Sequence, residues 1–262
     1  MEIRDLSFQY GRNLVLKSVS AFIEKGKITT IMGANGCGKS TLFNLMTKNL
    51  KPLRGGVYLE NTDIQRIGLK DFSRKVAIVH QYNSAPGDIT VRELVAYGRT
   101  PYFSFYGRKD CEDGEIIDWA MNVTNIYRYR DKPVSTLSGG QKQRVWIAMA
   151  LAQKTGILLL DEPTAYLDIR YQIQILDLIR MLNRELGITV VMVLHDINQA
   201  ICYSDEIIGL KDGKVAVRGK ADEVITGAVL HDIYGVNLKI LETENGKYVL
   251  TVSDKQDEAA GL

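Results

Sequence analysis

The sequence predicts an α/β protein with a mainly parallel sheet, an antiparallel β portion near the N-terminus and a block of helices inserted between the core strands. Three observations carry this. A compact β-branched run at 27–32 leads through a glycine-rich stretch into residues spaced for a helix at 39–48. Two apolar runs, 156–161 and 189–194, read as strands buried on both faces, with an amphipathic helix pattern at 171–186 between them. Apolar strands that alternate with helices form a parallel sheet covered on both sides. Residues 85–153 follow a mainly helical pattern and interrupt that alternation.

Taken in order, Ile3, Leu6, Phe8 and Tyr10 sit among polar neighbours and read as a short strand, with a turn at 10–13. The strand at 27–32, the glycine loop and the helix at 39–48 follow. Residues 76–80 make another short strand, and Tyr and Phe crowd between 97 and 106. Beyond the helical block come strand 156–161, helix 171–186, strand 189–194 and a helix at 196–203. Past residue 227, Glu244, Asn245, Gly246 and Lys247 mark the tight turn of a small hairpin. The order divides the chain into a core of 1–84 and 154–226, a helical subdomain of 85–153 and a C-terminal extension of 227–262.

Composition narrows the class. A chain of 262 residues buries about 70–75% of its unfolded surface and needs no disulfide or metal staple. With 45% hydrophobic residues it is neither a disordered nor a collagen-like chain. The 33 Lys and Arg against 31 Asp and Glu leave a net charge of +2, which gives no support to a broad nucleic-acid face. The first residues lack a charged leader followed by an apolar run, so no secretory signal is expected. The longest apolar runs, 157–160 and 190–194, fall far short of the ~20 residues that span a bilayer. Any membrane role is therefore expected to come through a partner. Cys37, Cys111 and Cys202 fit neither a zinc pattern nor a disulfide frame, which points to a reducing compartment.

Three motifs carry chemistry. Gly33, Ala34, Asn35, Gly36, Cys37, Gly38, Lys39 and Ser40 fit G-x-x-x-x-G-K-[ST], and Thr41 follows. The glycines let successive N–H groups turn in around phosphate oxygens, Lys39 reaches the β/γ-phosphates and the Ser40 hydroxyl holds Mg²⁺. The following helix points its positive end at the same anion. Read alone, the stretch is a glycine turn before a helix; the flanking strand and helix favour a nucleotide. The strand 157–161 ends in Asp161 and Glu162. A strand buried on both faces has little reason to end in two acids unless they work: Asp161 in the Mg²⁺ shell, Glu162 polarising the attacking water. Leu137, Ser138, Gly139, Gly140 and Gln141 open a helix, with Ser138 and Gln141 spaced as a capping box. Two glycines exceed what a cap needs, and they are expected to clear space for a γ-phosphate. Cys37 lies at a helix start, which is expected to lower its thiol pKa.

The phosphate loop, the Leu137–Gln141 signature and the Asp161-Glu162 strand occur in one order, and the chain resembles the ATP-binding subunits of ABC transporters over nearly its whole length. The resemblance implies a P-loop NTPase core, ATP as substrate and Mg²⁺ as its companion. It further implies that Gln81 contacts Mg²⁺ and links the chemistry to a transmembrane partner, and that His195 holds the γ-phosphate. Asp168 would lie at the seam of a dimer and Tyr10 would stack on adenine; the alternative for Tyr10 is a core or edge-strand aromatic. The family's arrangement is two copies, head to tail, each ATP lying between the phosphate loop of one and the signature of the other.

Finer features resemble one branch. The segment 88–102, the stretch 161–168 with Tyr166 where Ala is commoner, and the tail 229–236 are similar to ATPases that power import of ferric siderophores, haem or cobalamin. That resemblance implies membrane permease subunits, indirectly a substrate-binding protein, and a peripheral position on the cytoplasmic face of the inner membrane. Zinc or manganese importers, other ABC transporters including exporters, and soluble ABC ATPases are the alternatives. Tyr97, Tyr102, Phe103, Phe105 and Tyr106 are expected to mark the permease groove, at least half of them packing inside the helical subdomain.

Overall fold

A computed structural model describes residues 1–103, 111–244 and 246–251. In chain order the described residues form β1 (Glu2–Tyr10), β2 (Asn13–Phe22), β3 (Ile28–Gly33), α1 (Lys39–Met46), β4 (Arg54–Leu59), β5 (Thr62–Asp63), α2 (Leu69–Ser73) and β6 (Val76–Val79). Then come α3 (Val91–Ala96), α4 (Cys111–Val123), α5 (Gly139–Ala152), β7 (Ile157–Asp161), α6 (Ile169–Leu186) and β8 (Thr189–Val193). The chain closes with α7 (Ile197–Tyr203), β9 (Glu206–Lys211), β10 (Lys214–Lys220), α8 (Ala221–Val224), α9 (Gly227–Tyr234), β11 (Lys239–Thr243) and β12 (Gly246–Leu250). They gather into two compact units, one of Met1–Asn61 with Val193–Leu262, the other of Thr62–Met192.

In the first unit β1 pairs antiparallel with β2 and with β4. Every residue of β3 is buried, and β3 runs parallel to β9, Thr29 opposite Glu206 through Gly33 opposite Leu210. The Asp205 carboxylate accepts the Ile28 N–H at 2.8 Å and locks the start of that pairing. Ile31, Leu42, Phe43, Met46, Ile207, Ile208 and Leu210 fill the core.

Strands β4, β5, β9 and β10 are absent from the sequence reading. β10 is half-exposed and alternating, so it lacks the apolar run that betrays a buried strand. Its signal lies in the turn before it: Asp212 and Gly213 both take positive φ, 48° and 78°, the two-residue hairpin geometry that Asp-Gly favours. The small hairpin of β11 and β12 forms as expected; Asn245 of its turn lies outside the described residues.

In the second unit β6 and β7 pair parallel, Val76 opposite Ile157, and β7 also borders β8. β7 and β8 are buried at their centres, as their uniform apolar character demands. The α6 amphipathic helix turns Ile175, Leu176, Ile179 and Leu182 inward; it begins at Ile169, two residues before the periodicity shows. Residues 91–152 carry α3, α4 and α5 with short 3₁₀ turns at 97–102, 127–129 and 134–136.

The 88–102 segment is built for packing. Thr90 and Glu93 close a reciprocal capping box on α3. A Cβ on Gly98 would lie 2.1 Å from the Met149 carbonyl oxygen, so only glycine lets this turn touch α5. The Arg99 guanidinium is buried, pairs with Asp113 at 2.7 Å and donates to the Ala152 carbonyl at 2.8 Å. The Tyr102 ring lies 4.0 Å under Arg99, its hydroxyl donating to the Gln153 carbonyl.

Candidate functional site

Each unit carries part of the predicted residue set. In the first, β3 delivers the chain to the phosphate loop at Gly33 (φ +151°). A Cβ there would sit 2.3 Å from the Leu210 carbonyl oxygen and 2.7 Å from the Cys37 Sγ, so the loop closes only around a glycine. Gly38 (φ +109°) starts α1 in a conformation that side chains avoid. No side chain caps α1, which leaves its leading N–H groups directed at the loop, a ready anion site. Lys39, 5% exposed, folds back to donate from Nζ to the Gly33 carbonyl at 2.8 Å and the Ala34 carbonyl at 3.0 Å. That brace rounds the loop and holds an ammonium at its mouth. Ala34, Asn35 and Gly36 rim the loop, Ser40 is exposed on the first turn of α1 and Thr41 is buried behind it.

Tyr10 ends β1 half-exposed, its ring edge-on to Phe8 at 4.8 Å, free to stack on a planar group. His195 follows β8 and is exposed; the bond from Leu194 N–H to the Ile31 carbonyl fixes the preceding residue beside β3.

In the second unit, the buried centre of β7 gives way to half-buried Asp161 and Glu162. Glu162 takes φ 48°, turning the chain sharply at the strand end. The Gln81 amide Nε2 donates to Glu162 Oε2 at 2.6 Å. Asp168 caps α6, accepting the Tyr171 N–H at 3.1 Å. Ser138 caps α5 reciprocally with Gln141: its Oγ accepts the Gln141 N–H and its own N–H donates to Gln141 Oε1. The Gln141 amide also reaches the Tyr129 hydroxyl at 3.0 Å.

One expected glycine has a packing reason as well, and one expectation is corrected. A Cβ on Gly140 would meet Tyr171 Cδ1 at 2.5 Å, so this glycine serves the packing of α5 against the Tyr171 ring. Gly139, where a Cβ would only touch Leu167 at 3.4 Å, is the glycine that packing leaves unexplained. The Cys37 thiol is buried, and burial pushes its pKa up, which outweighs the lowering by Lys39 and nearby N–H groups.

Of the clustered aromatics, Tyr97 and Phe103 are exposed and Tyr102 is packed; Phe105 and Tyr106 lie outside the described residues. Tyr97 and Phe103 line a groove of about 530 Å³ with Pro86, Asp88, Ile89 and Glu93.

The tail contributes a residue the sequence reading did not single out. Tyr234, at the end of α9, faces a cavity of about 530 Å³ with Asn35, Gly36, Cys37 and His231. Burial, first, and then the Cys37 thiol push its phenol up to about 12. The helix end itself is legible, since Gly235 takes the left-handed stop at φ 73°; nothing in the sequence says that the tyrosine returns to the phosphate loop.

A buried parallel strand feeding a glycine loop and a helix, with a second parallel strand ending in two carboxylates, defines a phosphate-loop nucleoside triphosphatase. Residues 16–165 match the family model described as "ABC transporter". The chain is 44% identical to the iron(3+)-hydroxamate import ATP-binding protein FhuC of Bacillus subtilis, over 92% of this chain and 90% of that one. It is also 44% identical to the ferric enterobactin transport ATP-binding protein FepC of Escherichia coli, over 90% and 88%. The dimeric ATP-binding cassette MJ0796 bound to ADP and phosphate superposes with a TM-score of 0.71 at 32% identity, covering 84% of this chain and 98% of that one. The chain belongs to the ABC transporter ATP-binding family, and it is an ATPase. Such subunits work with membrane permeases and dimerise; among the described residues no helix is long and apolar enough to cross a membrane.

Proposed function

We propose that this chain hydrolyses ATP to drive uptake of an iron–siderophore chelate through a separate permease, from the cytoplasmic face of the membrane. The observation that carries the cargo class is the 44% identity to hydroxamate and enterobactin import ATPases across nine-tenths of the chain. In this reading the N–H groups of 33–41 and the Lys39 ammonium bind the phosphates, and Tyr10 stacks on the base. Glu162 accepts the proton of the attacking water, a general-base role that contributes about 10²–10⁴-fold. His195 and the Ser138, Gly139, Gly140 and Gln141 end of α5, offered by a second copy, stabilise the γ-phosphate, with Asp168 beside the seam.

The Ser40 hydroxyl, the Gln81 amide oxygen and the Asp161 carboxylate are hard oxygen donors, the set that Mg²⁺ takes. Bound Mg²⁺ supplies charge neutralisation on the transferring phosphoryl group. The groove between Tyr97 and Phe103 is the surface for the permease, residues 85–153 acting as the helical subdomain and 227–262 as an extension that backs the phosphate loop. An external binding protein selects the chelate.

The test has two arms. Glu162→Gln is expected to retain ATP binding while kcat falls at least about 100-fold; wild-type turnover would remove Glu162 from this role. Affinity capture of the full chain from its host membranes in mild detergent is expected to recover a multi-span permease. Reconstituted with it, the chain should drive uptake of ⁵⁵Fe–hydroxamate or ⁵⁵Fe–catecholate. Uptake of free Zn²⁺ or Mn²⁺ instead would overturn the cargo class.

A further inference from the structure

Two hydrogen bonds run side by side between the segment after β6 and the turn after β7. Gln81 donates to Glu162 at 2.6 Å, and the hydroxyls of Tyr82, the next residue, and Tyr166, four beyond Glu162, meet at 2.5 Å. The two rings lie 5.9 Å apart, tilted by 39°.

Neither tyrosine is there for the core. Tyr82 is 72% exposed and Tyr166 80% exposed, so their large apolar rings gain little from burial. Tyr166 also takes φ 61°, a left-handed conformation that bulky residues avoid. A residue held against both its hydrophobicity and its backbone preference points to a contact that matters.

We propose that Tyr82 and Tyr166 are positioning residues that clasp the Gln81 segment to the Glu162 turn and so hold Glu162 Oε2 on the Gln81 amide between turnovers. This rests on the assignment of Glu162 as base. An Oε2 that accepts the Gln81 amide N–H is not offering that lone pair to a water proton. Moving Gln81 away frees it, and the two tyrosines, one residue beyond Gln81 and four beyond Glu162, resist that movement. The clasp is exposed to water, so it contributes modestly and parts readily. That suits a contact that opens in each cycle.

The experiment is a double-mutant cycle on the basal ATPase of the full chain: Tyr82→Phe, Tyr166→Phe and both together, each removing one hydroxyl and no ring. Each single change is expected to raise kcat by about 2–5-fold, with the KM for ATP within about twofold. The double change should equal either single one, because both delete the same bond. An unchanged or lowered kcat, or effects that multiply, would overturn the clasp. The same changes in a Glu162→Gln background keep the two readings apart. If Glu162→Gln is inactive and the tyrosine changes do nothing in the wild type, the clasp alone fails. If Glu162→Gln keeps its turnover, the base assignment fails and the clasp with it. Melting temperatures within about 2 °C of the parent are expected for all three, since no buried atom changes.

Discussion

The phosphate loop and the turn after β7 are both sharp reversals at the end of a buried strand, yet they are held in opposite ways. The loop closes where side chains cannot exist: Gly33 abuts the Leu210 carbonyl and Cys37, and Gly38 turns left-handed into α1. The turn at 161–168 is held by side chains, with Glu162 and Tyr166 in left-handed conformations and bonds to Gln81 and Tyr82. One region is specified by excluded volume and the other by chemistry. In the proposed function the first binds a constant shape, a row of phosphates. The second, on the same proposal, changes its bonds when water and nucleotide arrive, and side-chain contacts are the ones that open at small cost.

The largest effect expected from that contrast is at Gly33. Gly33→Ala puts a methyl 2.3 Å from a backbone oxygen that is fixed in the β3·β9 pairing. That backbone oxygen cannot rotate away. The expected loss is about 3 kcal/mol or more in denaturant unfolding, together with ATP binding measured by a fluorescent analogue. Retention of both would mean that the loop is less tightly closed than this geometry requires.

The signature glycines sharpen the comparison within one helix. Gly140→Ala collides with Tyr171, whose ring must swing out of its contact, and is expected to cost about 1–3 kcal/mol. Gly139→Ala meets only Leu167 at 3.4 Å and gains helix propensity of up to about 1 kcal/mol. If Gly139 nevertheless serves the nucleotide, Gly139→Ala is stable and catalytically poor, whereas Gly140→Ala is unstable first. A stability loss at Gly139 equal to that at Gly140 would break the distinction.

A smaller effect is expected at Asp168. Its carboxylate caps α6 through the Tyr171 N–H, and Asp168→Ala removes a cap that contributes about 1 kcal/mol. Asp168→Asn keeps the acceptor and should recover most of that stability. A role at a dimer seam would leave the asparagine variant stable yet impaired in ATP-dependent dimerisation, which light scattering reads directly.

How much of this is visible in the sequence follows from the range of the interactions. The phosphate loop, the acids after β7 and the capping box at Ser138 are local patterns, complete within eight residues, and the structure places them on the expected strand, loop and helix ends. The partner of β3 is β9, and nothing within either strand names the other; Asp205 locking onto the Ile28 N–H joins residues that are far apart in the chain. The packing role of Gly140 is hidden for the same reason, since it comes from a ring on α6. The segment 88–102 was recognisable by type, but its content, a glycine against α5 and a buried Arg99–Asp113 pair, exists only after folding.

Cys37 gives the smallest and most specific prediction. Its position at a helix start argues for a lowered thiol pKa, and its burial argues the reverse; burial is the larger cause. A thiol raised in the folded state keeps its proton where an exposed one has lost it. Alkylation of native protein by iodoacetamide near pH 7.5 should therefore be slower at Cys37 than at the exposed Cys202 by roughly tenfold or more. The same raised pKa makes a stability contribution that is complete below the ordinary thiol value of 9.0 and is lost as pH rises past it, because the unfolded chain releases that proton first. Cys37→Ser should flatten the alkaline limb of the stability profile. Rapid labelling of Cys37 at neutral pH would show that the loop opens often enough to expose the thiol, and its suppression by ATP would locate that opening in the nucleotide-free loop.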